Sequence, residues 1–553
     1  KNYSFFGVSP SGFGAENIGY FTVPFILLLF IFKSVLQSPT ILISAFHGMS
    51  LSIGFLAFYF IVKELIDNKD FKKEIIELAA LLAGLFYVLS LSPIQGWDKV
   101  LIIHNQFFLN PLIFFLLLRY FKTTNIGYLI IILLVTFVFS PNFSFAAAPP
   151  VFAFYPLAII FLLFYTTVVF KKPIIWKHLI ISFVAFLFLQ AFHIIPQVVS
   201  TFSPGSVIYR TVFSDQGKFD RGLSYFVSIA SSIRVSINFM GLPQMTKLGV
   251  ESLAYIIFPG IILFGYLRNK SRILLLTGIF FLIALFFNSA NITSVGFDFY
   301  KALFHIPGFS MFRNFYGQWG YVFLFFYTIL LGQSLAIVLS GLKKKHTYFL
   351  SSFLVLLLVI PAWPFINGTL VNKVLWQSKN VKIAIKMNPK YEEMLAFIKS
   401  LPDGKILTLP LTDPGYQIIA GKDGGAYQGP STIAYLTGKQ DFAGFDELGK
   451  FNGLILDLAR EKKFDSLKKV LEFLNIRYIF YNADPRIYDE SFPAFPYGHV
   501  RQFLPEDQKS YQKFIKQLSF KQLKAVDNKY FIYELSNLDY RPLFFTTNNI
   551  NYF

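Results

Sequence analysis

This sequence predicts a polytopic α-helical membrane protein of about ten or eleven transmembrane helices with a C-terminal extracytoplasmic α/β domain. Three observations predict it. Apolar segments recur from residue 20 to residue 366, most of them long enough to cross a bilayer. The short linkers between them alternate between basic and nearly uncharged. Beyond residue 366 the composition becomes that of ordinary soluble protein.

The composition sets the bounds. Of 553 residues, 54% are hydrophobic and only 15% charged, which excludes a water-soluble enzyme. The net charge of +19 is spread through short loops beside apolar segments, a membrane-topology pattern and not a nucleic-acid surface. With no cysteine there is no disulfide, thiolate metal site or cysteine nucleophile. The 70 phenylalanines read as packing and lipid-facing filler. The chain opens at Lys1 in a Gly/Ser/Asn-rich stretch without initiator Met or signal peptide, so a segment upstream is expected.

Spans are expected near 42–62, 76–94, 100–118, 126–140, 150–170, 178–198, 252–267, 272–288, 320–340 and 347–366. Residues 20–35 are apolar but short, with Pro24 interrupting them, and their orientation stays open. Every second linker is basic. The first holds Lys63, Lys69, Lys72 and Lys73, the second Arg119 and Lys122, and the third Lys171, Lys172 and Lys177. Arg268, Lys270 and Arg272, then Lys343, Lys344 and Lys345, complete the series. Basic linkers belong on the cytoplasmic side. The long loops near 199–250 and 289–318, and everything after residue 367, then lie outside. No internal repeat is apparent.

The domain organisation is therefore 1–19 as part of an outer loop, 20–366 as the multi-span domain, and 367–553 as an outer α/β domain. In the last, Tyr391 to Leu401, Lys462 to Leu474 and Gln508 to Leu518 have helical periodicity. Lys405 to Leu409 and Ile476 to Tyr481 read as strands, and a terminal hairpin turns at Asp527-Asn528. The stretch Gly421 to Gly429 lacks phosphate-loop spacing and reads as a flexible loop.

Polar groups at membrane depth are costly and so mark candidate sites. Asp98, in an outer turn with Lys99, precedes His104, Asn105 and Gln106. This is an acid/base cluster at a cavity mouth, or else a solvated ion pair beside polar helix contacts. His193, Pro196 and Gln197 close the span leading into the loop that carries Arg210, Asp215 and Arg221; this loop is either a binding element or plain surface, and Leu223 to Met240 has the spacing of an amphipathic helix. The most specific stretch runs from Asp298 through Lys301 and His305 to Arg313 and Asn314. Arg313 follows a Pro-Gly break just outside the next span. There its guanidinium can fork onto a substrate phosphate, or snorkel to ordinary lipid phosphate. No His/Asp/Glu cluster has metal-ligand spacing.

Pro307-Gly308-Phe309-Ser310-Met311-Phe312-Arg313, followed at once by a long span, resembles a segment of GT-C class membrane glycosyltransferases. The similarity is to arabinofuranosyltransferase-like and teichoic-acid-glycosylating bacterial membrane proteins. Leu81 to Ser90 resembles their early helix, and Leu474 to Phe480 a strand of their outer domain. The resemblance implies transfer of a sugar from a polyprenyl-phosphate donor to a cell-envelope glycan or lipid acceptor. The setting it implies is the outer face of a bacterial or archaeal cytoplasmic membrane, among membrane lipids and without nucleic acid. The family's catalytic carboxylate lies in the first outer loop, inside which this chain is expected to start, so that residue either lies upstream of Lys1 or its role falls to Glu16, the only carboxylate in residues 1–19. Asp98 is the other candidate base. Arg313, with Lys301 or Arg210, would hold the lipid phosphate, and His305 and His104 would line the substrate. A divalent cation is used by some relatives, and the residues leave that open. A flippase for lipid-linked glycans and a non-catalytic assembly protein are the alternative readings.

Overall fold

The computed structural model describes residues 23–66, 70–90, 101–143, 148–202, isolated positions between 233 and 241, 251–306, 309–312, 318–366, 387–410, 417–422, 426–442, 454–488 and 515–535, apart from single positions. The chain divides into two compact units, one spanning 21–370 and the other containing 371–553.

The first unit is helical. Its helices are α1 (Val23–Leu36), α2 (Pro39–Leu65), α3 (Lys73–Leu89), α4 (Leu101–Thr123), α5 (Gly127–Val138), α6 (Ala148–Phe164), α7 (Trp176–Leu189) and α8 (Ala191–Phe202). After the long loop come α9 (Glu251–Arg268), α10 (Arg272–Asn288), α11 (Ser294–Leu303), α12 (Gly320–Ser340) and α13 (Lys344–Ile366). Most of the apolar segments read from the sequence fall on one of these helices. Among the described residues, four are long and apolar enough to cross a membrane alone, within α2, α6, α12 and α13. The α7–α8 pair makes a fifth span if taken together, and α1, α5, α9 and α10 contain shorter apolar helices. The protein is a polytopic integral membrane protein.

Three details differ from expectation, and a fourth falls largely outside the described residues. Pro24 lies in the first turn of the described α1, where a missing N–H breaks no helical bond, so it does not interrupt the segment. The apolar run 178–198 is not one rod, because α7 and α8 meet at Gln190 with a bend of 74°. The expected loop 289–318 is partly folded, containing α11 and 3-10 turns at Ala290–Ile292 and Phe309–Phe312. The amphipathic stretch 223–240 lies largely outside the described residues.

α12 is the axis of this unit. Nearly all its residues are buried, and it packs against α3, α9, α10, α2 and α6. Phe325 meets Phe58, Phe114 and Phe154 edge-on at 4.8–5.1 Å, so rings from three other helices lock onto one.

The second unit is built on a five-stranded sheet in the order β4-β1-β5-β7-β6. Its strands are β1 (Lys405–Leu409), β4 (Asp441–Phe442), β5 (Ile476–Asn482), β6 (Phe520–Val526) and β7 (Tyr530–Leu535). β4, β1 and β5 run parallel, with β7 and β6 antiparallel beyond them. Alternation along each strand feeds two cores. Ile406, Tyr478 and Phe480 face α14 (Pro389–Ser400), while Leu407, Ile479 and Tyr481 cluster with Leu467 and Leu471 of the helix Phe464–Phe473. The final hairpin turns where expected. Asp527 and Asn528 both have positive φ, 57° and 49°, and the Lys529 amide bonds to the Val526 carbonyl at 3.1 Å, a type I′ turn. The Gly421–Gly429 stretch is not a loop throughout, because its second half is β3 (Ala426–Gly429), paired antiparallel with β2 (Gln417–Ala420). Of the expected helix 508–518, only 515–517 are described as helical.

Candidate functional site

The basic linkers meet at one end of the helical unit. Glu64 at the end of α2 accepts from Arg119 at 2.6 Å and from Lys122 at 2.9 Å, both near the end of α4. Lys172, after α6, donates to the Lys122 carbonyl at 2.7 Å. The Arg268 guanidinium lies against Gly341, which follows α12. From this end α10 leads away to the segment 289–319, and α12 returns. The first turn of α4 likewise lies at the far end from Lys122.

Of the sequence-predicted residues, Glu16, Asp98, Arg210 and Arg313 lie outside the described residues, and His104, Lys301 and His305 lie toward that far end. His104 lies in the first turn of α4. Lys301 is half-buried in the last turn of α11, and His305 is exposed just beyond it. α11 starts cleanly because Thr293 accepts from the Gly296 amide at 3.1 Å. Its hydroxyl-bearing ring, Tyr300, is fully buried and donates to the Phe312 carbonyl. Trp319 donates its indole N–H back to the Tyr300 oxygen at 3.0 Å and stacks on Phe287 at 4.3 Å. Phe304 and Phe309 close against Tyr300, and Phe312 against Trp319. The chain is thus pinned on both sides of residues 313–318, with Phe312 held by α11 and Trp319 by α10 and α11.

The long loop 199–250 reaches the same helices where it is described. Asn288 of α10 donates to Ser236 at 2.9 Å, and Tyr327 of α12 donates to the Met240 carbonyl at 2.9 Å.

Two polar clusters prove structural in character. At the α7–α8 break, Gln190 donates to the Thr136 carbonyl at 2.8 Å and accepts from His193 Nε2 at 2.7 Å, while His193 Nδ1 accepts from Gln197 at 3.1 Å. Both imidazole nitrogens are used and the ring is buried, so His193 orients helices and is not free to exchange protons with substrate. In the second unit Asp441, only 1% exposed, accepts from Thr408 at 2.7 Å, from Gln417 at 2.8 Å and from Ser431. Burial pushes its carboxyl up to about 6, against the pull of the Ser431 and Thr408 hydrogen bonds. Sequence reading missed it, because nothing in Gln440-Asp441-Phe442 separates a buried acid from a surface one. Among the described residues no three His, Asp or Glu side chains gather to hold a metal ion.

Neither a protein-family model nor a curated protein matches the chain. Solved structures do. The arabinofuranosyltransferase AftD from mycobacteria aligns at 10% identity and a TM-score of 0.55, over 95% of this chain and 36% of that one. The archaeal oligosaccharyltransferase AglB from Archaeoglobus fulgidus, solved with an inhibitory peptide and a dolichol-phosphate, aligns at 11% identity over 98% of this chain and 68% of that one. The TM-score of that alignment is 0.45. The chain spans about a third of the length of AftD. The resemblance to arabinofuranosyltransferase-like membrane proteins is therefore met at the level of fold.

Proposed function

We propose that this chain is a membrane glycosyltransferase that moves a sugar from a polyprenyl-phosphate donor to a cell-envelope glycan or lipid acceptor on the outer membrane face. The observation that carries this reading is the AftD-like fold over 95% of the chain. The anchored segment leading into Arg313 supports it, and so does the gathering of basic linkers at the opposite end of the bundle. With those linkers cytoplasmic, 289–319 faces outward, where lipid-linked sugars would be met.

The chemistry is inverting displacement. A carboxylate, Asp98 or Glu16, takes the proton from the acceptor hydroxyl. The acceptor oxygen attacks the anomeric carbon from the face opposite the leaving group, and the carbon–oxygen bond to the lipid phosphate breaks. The polyprenyl phosphate departs with the electron pair, gaining negative charge that Arg313, with Lys301 or Arg210, neutralises. His305 and His104 lie on the substrate path in this scheme. A divalent cation finds no ligand set among the described residues.

Reconstituted protein supplied with a panel of polyprenyl-phosphate sugars tests the proposal. Arg313→Ala is expected to lower turnover about a hundredfold or more, and Asp98→Asn or Glu16→Gln to abolish it, with donor binding retained in the carboxylate variants. Donor binding without turnover across the whole panel would overturn the enzyme in favour of translocation or assembly.

A further inference from the structure

The helical unit contains a cavity of about 460 Å3 at the end where the basic linkers meet, remote from the segment 289–319. Three independent features of its wall select the same kind of ligand.

The first is the start of α10. Ser271 caps this helix, accepting from the Leu274 amide at 3.3 Å and, through its carbonyl, from Leu275 at 3.0 Å. Arg272 and Ile273, the first-turn residues, line the cavity. Their amides have no acceptor among the described residues, so the positive end of a 17-residue helix is turned to this space.

The second is Gln333 of α12. It is 4% exposed, lines the cavity, and neither atom of its amide has a hydrogen-bond partner. A buried amide left without a partner is unfavourable, and a polar ligand in the cavity would relieve it.

The third is the charge balance. Glu64 is saturated by Arg119 and Lys122, and Lys63 is taken by Glu77 at 3.4 Å. Arg272 has no ion pair among the described residues, and both it and Asp70 are exposed where they line the cavity. Lys172 adds a further cation beside Lys122.

We propose that this cavity binds the phosphate of a phosphate ester, held by the start of α10 and Arg272, with Gln333 bonding to polar atoms deeper in. Its volume exceeds the needs of a bare phosphate ion and suits a headgroup. Basic pockets between transmembrane helices on the positively charged side are where anionic lipids are taken up. The site is separate from the proposed transfer chemistry and does not depend on it.

The test uses the full chain in nanodiscs. Adding phosphatidylglycerol to phosphatidylcholine discs is expected to raise the thermal midpoint by about 2–4 °C, as a ligand well above its Kd does. Gln333→Leu, which keeps the volume and removes the unpartnered amide, is expected to unfold at a higher temperature in phosphatidylcholine alone and to respond little to phosphatidylglycerol. Arg272→Gln should lose most of the response. Inorganic phosphate added to phosphatidylcholine discs separates the sources. If it reproduces the rise, the ligand is a free phosphate compound; if only phosphatidylglycerol does, it is a lipid. No rise with either probe, or a rise that both variants retain, would overturn the site.

Discussion

A carboxylate without a cation beside it is costly to bury, and Asp441 is held by three neutral donors alone. Its pKa of about 6 lies above the value of roughly 3.9 in an unfolded chain. Folding therefore favours the protonated form. The associated stability is fully present below about pH 4 and is lost as pH rises through about 6, amounting to about 2–3 kcal/mol. Hydrogen exchange of Lys405–Leu409 in the full chain, corrected for intrinsic rates, is expected to be slower at pH 5 than at pH 7.5. Asp441→Asn should flatten that dependence, and an unchanged profile would disprove the assignment. At this scale the sequence is least legible. Arg313 could be singled out because it follows a Pro-Gly break beside a span, on the side the basic linkers avoid. Tyr300 and Trp319, which lie to either side of it, look like any other aromatics among 30 tyrosines, 70 phenylalanines and 5 tryptophans. Their role rests on two hydrogen bonds that only the fold creates.

Elements follow hydropathy closely, since a helix in lipid must be apolar along its length and a strand of a two-cored sheet must alternate. Lys405–Leu409 and the turn at Asp527-Asn528 were readable for that reason. The bend at Gln190 was not, because the apolar run continues through it and the cause is a side-chain bond. Thr136 lies in the last turn of α5, where its carbonyl has no helical donor, and Gln190 supplies one from another helix. Gln190→Leu would strand that carbonyl and the N–H of His193 together. A loss of about 1–3 kcal/mol is expected, read as a lower unfolding midpoint in detergent, with near-native stability refuting the role. The β2–β3 pair escaped notice because its strands are only four residues long and the glycines between them, Gly421, Gly424 and Gly425, dominate the local pattern.

For the molecule as a whole, the alternation of basic linkers was legible because it reflects a field and not a contact. The structure adds that Glu64, Arg119, Lys122 and Lys172 converge side by side. The absence of cysteine makes the orientation directly measurable. Lys345→Cys, in the last basic linker, and Lys469→Cys, exposed on the helix Phe464–Phe473, each give a single thiol. In intact cells a membrane-impermeant maleimide is expected to label only Lys469→Cys. Labelling of Lys345→Cys alone would invert the orientation and place the proposed transfer on the cytoplasmic face. What the sequence could not convey is which span lies in the middle, since all are comparably apolar.

That central place belongs to α12, although it is among the last helices to leave the ribosome. The partners it touches, α2, α3, α6, α9 and α10, are all synthesised earlier, so their inward faces meet lipid or one another until residues 320–340 arrive. Biogenesis is then a two-stage affair, with an open ring of inserted helices that a late-coming axle closes. A nascent chain arrested before that axle would show cellular quality control a hollow bundle, whatever the soundness of each helix made so far.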